Sequence, residues 1–271
     1  MGRRWALYAV IVLTGMVLVS ACVSPPVSSS TSPTPSNRSL TSSKPPQAWS
    51  VVALGDSVPH GTNCRCTPYP NLSASSLAAP AARAVTASND AVGGFTSADV
   101  LKQLRADPKV VSQVTNADIV EIEVGANDVA YSGPCGTSVS CYQPTIRSTE
   151  RNLTEIVARV QELTEGHPVL VILLDYWSVW LGGRYAAAEG PAYVDAATTV
   201  TDQMNDVIKD TAADTSSAYV NLRAAFKGPD YAYDETRYLA SDGDHPNAAG
   251  QRFSSTRRTT PARAVTRTRW S

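Results

Sequence analysis

Val169-Leu170-Val171-Ile172-Leu173-Leu174 is the stretch that decides the fold. An unbroken apolar run of this length marks a strand buried on both faces, as in a parallel sheet with helices above and below. Upstream of it, Thr145 to Leu163 places apolar residues at 146, 153, 156, 157, 160 and 163, a helical spacing that stops at Gly166. Downstream, Ala192 to Thr211 reads as a further helix and Ala218 to Leu222 as the last strand. Towards the N-terminus the alternation repeats. Trp49 to Leu54 is a strand ending at Gly55, Tyr69 to Ala82 an Ala- and Leu-rich helix with a break at Pro80, and Ala84 to Ser88 a second strand. Ser97 to Ala106 is a helix stopped before Pro108, and Ile119 to Val124 a third strand ended by Gly125. Strands separated by helices of this length imply right-handed crossovers and an α/β fold on a parallel sheet. In such sheets functional groups gather past the carboxyl ends of the strands, where Ser57, Asn89, Asn127 and Asp175 all fall.

The chain divides into four parts. Residues 1–22 read as an export signal: Arg3 and Arg4 precede an apolar stretch from Trp5 to Val19, and Val19-Ser20-Ala21-Cys22 resembles a lipobox cut before Cys22. That resemblance implies lipidation of Cys22 and a lipid anchor to the membrane. A plain signal or an uncleaved anchor is the alternative, although the stretch is short against the roughly 20 residues of a span. All three place the fold outside the cytoplasm. Residues 23–48 are rich in Ser, Thr and Pro and carry no acid, the composition of a disordered linker. Residues 49–251 form the folded domain, large enough for one core. They hold all 24 acidic residues against 13 basic ones, which argues against nucleic acid as a partner. Residues 252–271 carry six arginines and no acid.

Four further cysteines in an exported domain, Cys64, Cys66, Cys135 and Cys141, suggest two disulfides. Local pairing of Cys64 with Cys66 and of Cys135 with Cys141 is favoured, with crosswise pairing left open. A zinc site is the other use of such a set, but the three histidines are scattered at 60, 167 and 245 and no CxxC pairs are present, so no metal or organic cofactor is implied.

Three distant segments carry the chemistry. Gly55-Asp56-Ser57 offers a serine straight after a strand, Gly125-Ala126-Asn127-Asp128 offers an amide after another, and Asp242-Gly243-Asp244-His245-Pro246-Asn247 offers a carboxylate and an imidazole three residues apart. Asp242 can curl back to His245 Nδ1, whereas neighbouring side chains such as Asp244 diverge in extended chain. A serine nucleophile, an imidazole base, an orienting acid and oxyanion donors are the parts that acyl transfer requires. Each segment alone is also an ordinary turn, since Gly, Asp, Asn and Ser are turn formers. Gly-x-Ser-x-Gly, the nucleophile elbow, occurs nowhere. Tyr69, Tyr176, Trp177 and Trp180 read as rim and core aromatics, with a sugar- or acyl-binding groove as the alternative.

Together and in this order, with Asn89-Asp90-Ala91-Val92-Gly93-Gly94 between them, these segments resemble the GDSL/SGNH hydrolase family over about residues 50–250. The resemblance implies a three-layer α/β/α sandwich with about five parallel strands. It also implies a serine esterase or lipase acting on small-molecule or lipid esters. Ser57 would be nucleophile, His245 base and Asp242 its orienter, with Ser57, Gly94 and Asn127 as the oxyanion hole; spacing to Thr96-Ser97 favours Gly94 over Gly93. A catalytically silent carbohydrate- or wall-binding module of the same fold, and a monomeric state, complete the expectations. The departure is the C-terminus. Where the family continues into an apolar helix, residues 252–271 show no apolar face, and read as a disordered basic tail, as the product of a shifted reading frame, or as an unusual helix.

Overall fold

The computed structural model describes residues 48–81 and 83–256. The chain divides into two units, 1–44 and 45–271, and every described residue belongs to the second. The signal segment with Cys22, the linker up to residue 47 and residues 257–271 lie outside the described residues.

Five strands form one sheet: β1 (Trp49–Gly55), β2 (Val85–Asn89), β3 (Ile119–Glu123), β4 (Leu170–Leu174) and β5 (Ala218–Val220). All pair in parallel, in the order β2-β1-β3-β4-β5. Val52 stands beside Val120 and Val120 beside Val171; Leu54 stands beside Ile122 and Ile122 beside Leu173. These residues are all buried, each contributing about 1.5–3 kcal/mol over its exposed form. The edge strand β2 is half-buried, as its Thr and Ser suggest. The helices are α1 (Ser57–His60), α2 (Tyr69–Ala81), α3 (Ser97–Ala106), α4 (Pro108–Thr115), α5 (Val139–Leu163), α6 (Gly183–Ala188), α7 (Pro191–Asp214) and α8 (Leu222–Lys227). Right-handed crossovers put α2 on one face of the sheet and α3, α5 and α7 on the other, with α5 packed between α3 and α7. The chain runs outward from β1 to β2, then back past β1 to β3. That reversal makes a crevice at the carboxyl ends of β1 and β3, the place where such sheets bind ligands.

Helices α1, α6 and α8 have no counterpart in the sequence reading, the last strand ends at Val220 because Leu222 opens α8, and four further elements differ from it. Pro108 does not merely follow a stop but opens α4 at its first position, where its missing N–H costs nothing; the Asp107 carboxylate caps Lys109 N and Val110 N. Helix α2 passes through Pro80 to Ala81 without a break, because the proline falls in the last turn. Helix α5 begins at Val139 rather than Thr145 and contains Pro144. Its first turn is tied down by Tyr142, whose hydroxyl donates to Gly136 O and accepts from Ser132 N.

The fourth difference is a correction. Residues 248–256 are helical, so the boundary at 251 cuts through an element and residues 252–256 are not a disordered tail. Small and polar residues replace the missing apolar face. Asn247 Oδ1 caps Ala249 N and Gly250 N. Gln251 is fully buried, accepting from Tyr69 N and donating to Val58 O. Ser254 and Ser255 are buried, and Phe253 stacks on Tyr238 at 4.8 Å.

Candidate active site

Gly55 ends β1 at φ +146°, and a Cβ there would lie 2.0 Å from Glu123 O. Only glycine lets the two strand ends close this tightly. Asp56 N then donates to Glu123 O, and Asp56 Oδ1 caps Val58 N, so Ser57 becomes the first residue of α1. Asn89, past β2, donates from Nδ2 to Pro59 O at 2.7 Å and anchors α1 from the side. Beneath Ser57 lies a buried pair: the Tyr176 hydroxyl donates to Asp56 Oδ2 at 2.6 Å. Burial raises the Asp56 carboxyl to about 7, opposed by the bonds from Tyr176 and Val58 N. Glu123, also buried, takes the Tyr69 hydroxyl at 2.5 Å.

Past β3, Gly125 at φ +143° leads to Asn127, which donates one amide N–H to Phe95 O at 2.9 Å. An amide carries a second N–H beyond that one. Asp128 accepts from Ser97 N and Ser97 Oγ at 2.8 and 2.6 Å, fastening this turn to the start of α3. Gly94 lies in the turn 92–95 between the two strand ends: Val92 N donates to Gly55 O, and Phe95 O receives Asn127. Gly94 has φ +85° and open space where a Cβ would point, whereas a Cβ on Gly93 would meet Thr62 Oγ1 at 3.2 Å.

The turn 239–246 brings in the remaining groups. His245 Nδ1 lies 2.9 Å from Asp242 Oδ2, while Asp242 Oδ1 accepts from the backbone N–H of Asp244 and His245 at 3.1 Å. Asn63 Nδ2 also donates to Asp242 Oδ2, tying this turn to the loop after α1. Burial alone would raise the Asp242 carboxyl; the bonds from Asn63, the two backbone N–H groups and the imidazole outweigh it and hold it at about 2. His245 Nε2 lies 3.8 Å from Asp244 Oδ2. The two neighbours diverge to opposite edges of the ring, one at each nitrogen. The imidazole is near enough to Asp56 to oppose the rise of its pKa, and Asp244 adds to that rise. His60 turns instead to Thr62 Oγ1, and His167 Nε2 lies 2.8 Å from Thr115 O, both on the surface.

Ser57, Asn127 and Asp244 line one cavity of about 320 Å³, walled by Tyr131, Trp180 and Tyr193. Asp175 is not part of it: its carboxylate accepts from Leu222 N and Arg223 N and holds the start of α8. Trp177 belongs to a neighbouring cavity of about 420 Å³ beside Arg223 and Glu235, which shares Ser178 and Leu181 with the first but not Ser57. Tyr176 and Trp180 line the serine's cavity, while Tyr69, the first residue of α2, is fully buried outside it. Sequence reasoning missed Asp56, Asn63 and Asp128 as supports, and Tyr131, Glu189 and Tyr193 as lining. Asp56 and Asp128 flank residues already singled out; the others carry no local signal. The disulfides are Cys64–Cys66 and Cys135–Cys141, so none of these four sulfurs is a thiolate available to zinc.

The family model of GDSL-like lipases and acylhydrolases matches residues 53–253. No curated protein matches the chain. Among solved structures, the lipase Lip_vut3 from a goat rumen metagenome is 19% identical with a TM-score of 0.59, over 78% of this chain and 96% of that one. The acetylxylan esterase Axe2 from Geobacillus stearothermophilus is 21% identical with a TM-score of 0.55, over 77% and 91%. The lipase/acylhydrolase from Enterococcus faecalis is 19% identical with a TM-score of 0.54, over 80% and 96%. At such identities these likenesses speak to the fold, and the family model speaks to kinship. The chain belongs to the GDSL-like lipase/acylhydrolase family.

Proposed function

We propose that ester cleavage, the reaction that membership of this family assigns to the chain, is carried by Ser57, His245 and Asp242. The chain is a carboxylic ester hydrolase. In this reading His245 Nε2 takes the Ser57 proton as Oγ attacks the ester carbonyl. Asp242 holds the ring through Nδ1 and stabilises the imidazolium. The oxyanion is held by Ser57 N–H, Gly94 N–H and the Asn127 amide. His245 returns the proton to the leaving alcohol, and a water activated by the same ring then frees the acid. The observation that supports this reading is the Asp242–His245 pair, at 2.9 Å, in a turn whose Asp244 lines the same cavity as Ser57. The silent wall-binding module is not favoured. A fluorophosphonate probe should label Ser57 in the parent protein, and Ser57→Ala should abolish both labelling and p-nitrophenyl acetate hydrolysis. Undiminished turnover in that variant refutes the assignment.

Residues 1–22 support the further reading that the enzyme is exported and held to a membrane through lipid on Cys22, with 23–48 as tether. Among the described residues no helix is long and apolar enough to cross a membrane. Metabolic labelling with palmitate should mark the parent and not Cys22→Ala; equal labelling removes the anchor.

A further inference from the structure

We infer that the ester this site prefers carries a positive charge on its alcohol, as an ammonium or quaternary ammonium group. The inference rests on the hydrolase reading above and adds to it the chemistry of the cavity beside Ser57. Three rings make one wall. Tyr131 lies edge-on to Trp180 at 5.0 Å and tilted to Tyr193 at 5.1 Å, and Trp180 and Tyr193 are 5.4 Å apart. The polar tips of the two buried rings are already committed to backbone: Trp180 Nε1 donates to Val129 O at 2.6 Å, and Leu181 N donates to the Tyr193 hydroxyl at 3.1 Å. What remains for a ligand is ring surface and the Tyr193 O–H, with Tyr131, half-exposed, at the mouth.

The charges in this cavity are of one sign. Glu189 and Asp244 both line it, and among the described residues no lysine or arginine does. Both carboxylates act on the Tyr193 phenol, adding to the rise that burial imposes on its pKa. The Glu189 carboxylate has no hydrogen bond or ion pair among the described residues, and Asp244 Oδ2 lies 3.8 Å from His245 Nε2. Aromatic faces with carboxylates at their edge attract a desolvated cation by quadrupole and by charge. The side of the scissile bond follows from the chemistry. His245 Nε2 must hand its proton to the leaving oxygen, and Asp244 lies 3.8 Å from that nitrogen. The alcohol therefore departs along the acidic, aromatic side.

The test compares acetylcholine with its uncharged carbon isostere, 3,3-dimethylbutyl acetate, on the full chain. The ratio of kcat/KM values is the readout. A preference of about tenfold for the cation is expected at low salt, falling as ionic strength rises. Glu189→Gln and Tyr131→Ala should each lower the ratio, and Tyr131→Phe should restore it. Equal efficiency on both esters, or preference for the neutral one, overturns the inference while leaving the hydrolase intact. Should neither ester nor p-nitrophenyl acetate be turned over, calorimetric titration with tetramethylammonium decides. Saturable binding weakened by Glu189→Gln upholds the cation site and sinks the hydrolase, and no binding sinks both.

Discussion

The Ser57 edge and the His245 turn are built by different means. Ser57 is set mainly by main chain: a glycine pressed against Glu123 O, Asp56 N bonded to that same oxygen, and a strand on either side of β1. His245 is set by side chains reaching across long sequence distances. Asn63 holds Asp242 from the loop after α1, and Asn247 and Gln251 fasten the following helix. A site whose nucleophile is fixed by backbone and whose base is fixed by hydrogen bonds should fail in two distinct ways. Damage at the first edge removes the fold, and damage at the second removes activity while sparing the fold.

The largest effect expected is Gly55→Ala. Its Cβ would fall 2.0 Å from a backbone oxygen that cannot move without parting β1 from β3, and its φ of +146° is strained for alanine. No soluble, cooperatively melting protein should be recovered; a variant with parental melting behaviour breaks the contrast. Next comes Asp242→Asn, which keeps the shape of the turn but removes the charge that orients His245. Turnover of p-nitrophenyl acetate should drop about 10²–10⁴-fold with the melting temperature little changed. Asp244→Asn, at the other nitrogen, should cost less than about tenfold on this neutral ester. Equal losses would mean that the two carboxylates share the orienting role.

The smallest effect lies where the two regions meet, at Asp56. In the unfolded chain this carboxyl ionises near 3.8, and in the folded protein at about 7. The native state thus holds a proton that the unfolded chain has released between those values. Its contribution to stability is complete below about pH 4 and is lost as pH rises towards 7. Asp175, raised by burial to about 6, acts in the same sense, whereas Asp242, held at about 2, affects stability only in stronger acid. Asp56→Asn should flatten the decline in melting temperature between pH 4 and 7, by up to roughly 2–4 kcal/mol of stability. An unchanged slope would show that Asp56 is ionised throughout.

Much of this contrast was legible before the fold was known. The strand Val169 to Leu174 and the runs before Gly55 and Gly125 announce themselves, because a strand buried on both faces must be apolar throughout. Asp242 and His245 could be paired because three residues suffice to curl a carboxylate back to an imidazole. Helix α4 was hidden by Pro108, which looks the same after a helix as at the start of one. The segment 248–256 was hidden because its burial is polar: a glutamine at 251 is unreadable as core until Tyr69 N and Val58 O are found on either side of it.

Local chemistry along the chain was enough for the parallel sheet, the strand-end turns and the types of the reacting groups, since periodicity and turn formation act over a few residues. Only tertiary structure could decide which carboxylates stand beside which partners. Asp56 lies under Tyr176, Asn63 against Asp242, and Tyr131, Trp180, Tyr193 and Glu189 around one cavity. Those contacts join residues up to 179 positions apart, and the packing of the sheet, not any local preference, brings them within bonding distance.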